Sequence, residues 1–247
     1  MERKEFLKQG FKALGSVAVV YFFNSCTKES GTDDSGSDDD DDDDDSSSGT
    51  CSQYPTVTEG PYPTKNPEEL VMSDITSDRE GTALSIAITI QDYSDNCSVA
   101  ADVIVDIWHC DAEGNYSQYG GSGSTQTTNY QSVNFLRGRQ TTDSSGIVEF
   151  TSIYPGWYEG RTTHIHIHAY DSSGNSLVVA QIAFPEDITS TVYAQGAYAS
   201  HGQKGIANAD DNIFSATYES GTLLDIALAT VTGSVSSGYT LTHSIAY

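Results

Sequence analysis

Apolar and polar residues alternate along several short runs of this chain. Leu84, Ile86, Ile88 and Ile90 take every second position of one run, and Val103, Val105 and Ile107 repeat the pattern. A period of two puts such residues on one face of an extended strand. Residues 147–153, 162–170, 176–184, 223–231 and 238–246 read as further strands. Turn chemistry separates them: EGN at 113–115, DSSG at 143–146, Pro155-Gly156, and DSSGN at 171–175. Seven or more short strands at this spacing predict an all-β fold, an antiparallel β-sandwich. Residues 117–135 and 186–222 are predicted as long loops without an amphipathic helix.

The first 48 residues break the pattern. Arg3, Lys4, Lys8 and Lys12 precede the apolar stretch Ala13–Phe23, which is shorter than the roughly 20 residues a membrane span needs. The arrangement predicts an export signal over residues 1–26. Its end, FNSC, resembles a bacterial lipobox, which makes Cys26 the candidate lipidation site and the membrane anchor. RKEFLK at Arg3–Lys8 resembles a twin-arginine export motif with Lys in place of the second Arg. Apart from Lys28 and Glu29, residues 27–49 are Ser, Gly, Thr and Asp, with almost no apolar content, and they predict a disordered, charge-extended tether. Residues 50–247 remain as the folded domain. The protein is thus expected to be an exported, membrane-anchored lipoprotein facing the periplasm or the cell surface.

Charge and cysteines narrow the picture. The chain carries a formal net charge of -24, and Asp33, Asp34 and the run 38–45 account for ten of its acids. From residue 49 onward, 22 acidic residues face 6 basic ones. No basic surface is available to follow a phosphate backbone, so nucleic acid is excluded as a partner. Export permits disulfides among Cys51, Cys97 and Cys110. Three pairings are open; Cys51–Cys97 is the one expected, with Cys110 free and buried.

The chemistry concentrates in YPGWYEGRTTHIHIHAY, Tyr154 to Tyr170. His164, His166 and His168 alternate with Ile165 and Ile167, so the three imidazoles share one face of a strand. Three histidines on a buried face point to a metal. Neighbours two apart stand about 6.5 Å apart and the outer pair about 13 Å, so one metal takes either His164 with His166 or His166 with His168. The metal is open on these grounds. Cys or carboxylate partners would suggest zinc, two His with one carboxylate ferrous iron. The residues rich nearby are tyrosines, whose phenols titrate near 10 and need a strongly polarising cation to ionise at neutral pH. Ferric iron meets that need best.

At this point the chain resembles the intradiol ring-cleavage dioxygenases, the family of the protocatechuate and catechol dioxygenases. Pro155-Gly156-Trp157-Tyr158 followed by Arg161-Thr162-Thr163-His164-Ile165-His166 resembles the family's second Tyr ligand and its Arg-x-x-His-x-His. VDIWHCDAEGNY resembles the segment ending in the first Tyr ligand, here Tyr116. RQTTDSSGIVEF, TEGPY (Thr58 to Tyr62) and Gln181 in AQIAF match further family positions. The resemblance runs from about residue 51 to the end. It implies one non-haem Fe(III) held by Tyr116, Tyr158, His164 and His166, with His168 outside the ligand set. It implies catalytic roles for Arg161, Gln181 and Tyr158, and substrate contacts by Tyr62 and Arg161. The implied reaction opens a catechol-type ring with O2 between its two hydroxyl-bearing carbons, giving a muconate-type dicarboxylate. Tyr119 rivals Tyr116, Tyr154 rivals Tyr158, and Glu159 is a possible partner for Arg161. Two other readings compete: a catalytically silent surface binding module, and a zinc metalloprotein built on the histidines.

Overall fold

The computed structural model describes residues 51–219 and 221–247. The predicted export signal, Cys26 and the 27–49 tether lie outside the described residues. In chain order the strands are β1 (Ala83–Asp92), β2 (Ser98–Val99), β3 (Ile104–Trp108), β4 (Arg137–Thr141), β5 (Ile147–Ile153), β6 (His164–Tyr170), β7 (Ser176–Ala183), β8 (Thr217–Tyr218), β9 (Gly221–Thr222), β10 (Thr230–Ser234) and β11 (Gly238–Ala246). Helix α1 (Glu186–Tyr193) follows β7, and α2 (Leu223–Ala227) follows β9.

Two sheets form the sandwich. In the first, β1 pairs with β5 and, at its end, with β2, both antiparallel, and with β11, which pairs with β10. The β1–β11 pairing is parallel, so the sheet is mixed rather than wholly antiparallel. The second sheet runs β4-β3-β6-β7, antiparallel throughout. Leu84, Ile86, Ile88 and Ile90 point inward as their alternation predicts, and join Val105, Ile107, Ile165, Ile167, Ala180 and Ile182 in one apolar core. Each Leu, Ile or Val among them contributes about 1.5–3 kcal/mol relative to exposure.

Three segments depart from the sequence reading. Residues 186–222, expected as loop, contain α1; its buried residues are Thr189, Val192 and Tyr193, a helical spacing hidden by a threonine and a tyrosine. Residues 223–231, expected as strand, begin with α2. There the Thr222 backbone N–H donates to the Asp225 carboxylate at 2.7 Å, a helix-start signature inside an apolar run. Strand β4 escaped notice because its residues are polar; Arg139 earns its place by a bidentate pair with Asp106 on β3, at 2.5 and 2.7 Å.

Cys51 and Cys97 are disulfide-bonded, with Cα atoms 5.9 Å apart, and Cys110 is free and buried. The bond clips the start of the described chain to the turn after β1. Among the described residues no helix is long and apolar enough to cross a membrane.

Candidate metal centre

β6 turns Ile165 and Ile167 into the core and His164, His166 and His168 to the other side. That second face is also buried, because loops cover it. In register, His166 lies between Trp108 on β3 and Gln181 on β7. The Trp108 ring stacks flat on His166, centroids 4.9 Å apart. Of the two pairings the spacing allowed, the structure brings together His164 and His166, whose Nε2 atoms lie 3.1 Å apart. His168 turns elsewhere: its Nδ1 meets Glu59 at 2.9 Å and its Nε2 meets Ser176 Oγ at 2.8 Å.

Tyr116 follows a turn organised by Asp111, whose Oδ1 accepts the N–H groups of Glu113 at 3.0 Å and Asn115 at 2.9 Å. Gly114 in that turn has φ +84°, and a Cβ there would stand 2.2 Å from the Trp157 carbonyl oxygen. Gly156 presses in from the other side; its Cβ would stand 2.3 Å from the Asp111 carbonyl oxygen. Only glycine tolerates either approach, and the two contacts bring the Tyr116 turn against the Tyr158 segment. The tyrosine rings lie 5.7 Å apart, with Tyr158 5.6 Å from His164 and Tyr116 6.2 Å from His166. The rivals point away. Tyr119 donates to the Pro63 carbonyl at 2.7 Å, and Tyr154 shares a 2.8 Å hydrogen bond with Thr189 in the core.

The donor set asks for a cation. His164 Nδ1 faces the Thr162 carbonyl at 2.6 Å, so it carries the proton and the Nε2 lone pair points inward. Tyr116 Oη stands 3.4 Å from that Nε2. His166 Nδ1 is buried without a partner. Burial, reinforced by the Arg161 charge, holds the His164 pKa at about 3, and burial with the neighbouring His164 takes His166 well below its usual range. Both rings are therefore neutral at pH 7. Burial lifts Tyr158 to about 12 and Tyr116 well above the usual tyrosine range, with Arg161 opposing. Left alone, the phenols keep their protons and one proton lies between the two imidazole Nε2 atoms, since His166 Nδ1 has no acceptor. A small, highly charged cation would displace these protons, taking the imidazole lone pairs and making phenolates of the tyrosines. Among the described residues no group of three or more His, Cys, Asp or Glu is poised for a metal, and the further donors beside the two imidazoles are the phenols of Tyr116 and Tyr158.

Arg161 stands at the edge of this group. Its Nη1 is 3.4 Å from His164 Nε2 and its Nη2 donates to Gln181 Oε1 at 2.7 Å. Gln181 Nε2 in turn donates to the Thr58 carbonyl at 2.8 Å. The acid that holds Arg161 is Asp211, not Glu159: Nε reaches Asp211 Oδ2 at 2.8 Å, and Glu159 is exposed. Asp211 also accepts the N–H groups of Thr162 and Ile213, both at 2.9 Å. Burial pushes its pKa up, but Arg161 and these donors outweigh burial and hold it below the usual carboxylate range. Tyr62 stacks on Tyr116 at 4.6 Å and meets Tyr158 edge-on at 5.8 Å. Its loop passes close over the imidazoles, where a Cβ on Gly60 (φ +71°) would lie 3.1 Å from the His166 ring. Sequence reasoning missed Asp211, which sits in the acidic run ADDN with nothing to single it out, and Arg137, which is fully buried behind Tyr116.

With this geometry in hand, the comparisons with known proteins are specific. A family model described as Dioxygenase matches residues 55–212. An intradiol ring-cleavage dioxygenase from Tetranychus urticae is similar at 28% identity and a TM-score of 0.69, over 79% of this chain and 94% of that one. A second solved dioxygenase is similar at 27% identity and a TM-score of 0.70, over 80% and 94%. The dioxygenase domain of a dioxygenase carbohydrate-binding fusion from Streptomyces sp. SirexAA-E shares the fold at 21% identity and a TM-score of 0.54, over 79% and 98%. No curated protein is similar enough in sequence to match the chain.

Proposed function

Since the chain belongs to the intradiol ring-cleavage dioxygenase family and is an oxidoreductase of that kind, we propose that it binds one non-haem Fe(III) through Tyr116, Tyr158, His164 and His166. With it the enzyme cleaves a catechol-type ring between the two hydroxyl-bearing carbons, consuming O2 and releasing a muconate-type dicarboxylate. When bound there, a ferric ion supplies Lewis-acid and template chemistry toward the two substrate oxygens. The observation that carries the proposal is the convergence of the His164 and His166 Nε2 atoms, 3.1 Å apart, beneath two tyrosine rings 5.7 Å from each other.

The residues divide the work. Tyr116 is wholly buried and stacked under Tyr62, which makes it the fixed phenol. Tyr158 is only half-buried, so it is the phenol free to move aside, and its oxygen takes up a proton from an incoming catechol hydroxyl. Arg161, clamped by Asp211 and Gln181, presents a fixed positive charge where negative charge develops on the substrate. Gln181 joins that arginine to the Thr58 carbonyl, and Tyr62 walls the site against water. We also propose export, with the domain tethered to a membrane through a lipidated Cys26.

Iron analysis with oxygen uptake over a panel of catechols tests the function. One iron per chain, a visible tyrosinate-to-ferric absorption and one O2 consumed per ring are expected. Full iron loading with no oxygen uptake on any catechol would leave a silent binding module instead. A colourless protein that retains zinc would favour the zinc alternative, which lacks a third His, Cys, Asp or Glu ligand among the described residues.

A further inference from the structure

The folded domain carries far more acids than bases, and its six basic residues from residue 49 onward are Lys65, Arg79, Arg137, Arg139, Arg161 and Lys204. Four of them meet a carboxylate: Arg79 meets Asp78 and Asp111, Arg139 meets Asp106, Arg161 meets Asp211, and Lys204 meets Glu186. Arg137 does not, although its side chain is fully buried. It bonds only to neutral oxygens: Nε to Ser117 Oγ at 2.9 Å, Nη2 to the Ser117 carbonyl at 2.8 Å, and Nη1 to the Tyr62 carbonyl at 3.0 Å and Thr64 Oγ1 at 3.1 Å.

A buried guanidinium without an anion is expensive, and a domain so rich in acids could have supplied one. Two phenols stand near enough to act as the missing counter-charge. The Arg137 guanidinium lies 5.5 Å from the Tyr119 ring and 5.9 Å from the Tyr116 ring. Tyr119 spends its proton on the Pro63 carbonyl and stays neutral. Tyr116 is the one whose oxygen faces His164.

We infer that Arg137 is the counter-charge and positioning residue of Tyr116: it ties the Tyr62 carbonyl and the Thr64 hydroxyl to Ser117, fixes the Tyr62–Tyr116 stack, and keeps one buried positive charge beside the Tyr116 phenolate. This rests on the ferric reading above. It separates the two phenols. The other arginine of the site, Arg161, is paired with Asp211 and faces both phenols, whereas Arg137 has no carboxylate and stands beside Tyr116 alone of the two. Arg137 hydrogen-bonds to none of the four proposed ligands, and it acts through Tyr116.

The test compares the iron-loaded full chain with Arg137→Met and Arg137→Lys. The readouts are the wavelength of the tyrosinate-to-ferric absorption and iron affinity in competition with a chelator. Circular dichroism checks that each variant is folded. Removing a positive charge beside a phenolate raises the energy of its electrons, so in Arg137→Met the band should move to longer wavelength. Its iron affinity should fall about 10- to 100-fold, as for other groups that support metal ligands. Arg137→Lys keeps the charge and should hold the band near the parent's wavelength. Should Arg137→Met not fold, Arg137→Gln replaces it, since its amide retains donors for the Ser117 and Tyr62 oxygens. A folded neutral variant with the parent's band and affinity overturns the inference, as does Arg137→Lys shifting as far as the neutral variant. A parent that shows no visible band with iron brings down the ferric reading itself, a result distinct from an unmoved band.

Discussion

The two faces of β6 are equally buried yet follow different rules. Ile165 and Ile167 pack into the sandwich core, while His164 and His166 point the other way and are just as inaccessible. On the apolar face burial is its own reward, proportional to the area removed from water. On the imidazole face burial is a cost, because the rings must stay neutral and one of their nitrogens, His166 Nδ1, has no hydrogen bond. One strand therefore stabilises the fold with its odd-numbered residues and holds chemistry, at some expense in stability, with its even-numbered ones.

Substitutions on either face should separate these roles. The largest effect is expected for His166→Ala, which removes a proposed ligand: oxygen uptake should fall about a thousandfold or more, some 4 kcal/mol in barrier terms. The melting temperature of the metal-free protein should hold or rise, since a buried polar group with an unpartnered nitrogen has gone. A large loss of metal-free stability would mean that His166 is structural. Ile167→Ala should do the reverse, lowering unfolding free energy by about 2–5 kcal/mol in urea titrations while the iron content stays at the parent level.

Asp211→Asn sharpens the comparison at the edge of the site. It leaves Arg161 charged but loosely held, and a 10- to 100-fold loss of kcat with less change in KM is expected. An unchanged kcat would show that Arg161 is aimed by Gln181 alone.

The smallest effect per residue is that of pH on the metal-free protein. His109 and His164 are held at about 4 and about 3, and His166 lies well below its usual value, in each case chiefly by burial. Unfolded, all three titrate near 6.5. The unfolded chain then takes up protons that the folded one refuses, so stability is intact above that pH and declines as pH falls through it. From pH 7 to 6 each contributes a loss of about 0.7 kcal/mol, to be read from urea midpoints. A midpoint that rises on mild acidification would show that these rings gain a partner in the folded state.

Much of this was legible before any coordinates. Alternation located β1, β5 and β6, and the Tyr116, Tyr158, His164 and His166 segments were identified by motif. Local features escaped where polar residues do apolar work, as in β4 and α1. Long-range partners escaped for a different reason: Arg161 and Asp211 are 50 residues apart, and Arg137 and Tyr62 are 75 apart.

The sequence by itself determined which side chains share a face of β6 and which turns must carry glycine, because strand periodicity and backbone sterics act over a few residues. The motif singled out His164, His166 and Tyr116, but only the tertiary structure brought the two Nε2 atoms within 3.1 Å of each other, set the Tyr116 oxygen beside them while Tyr119 turns to Pro63, and buried Arg137 with no carboxylate beside it. Those outcomes depend on which loops close over the sheet. Nothing in local spacing encodes the distance between segments that meet only when the two sheets and their loops pack.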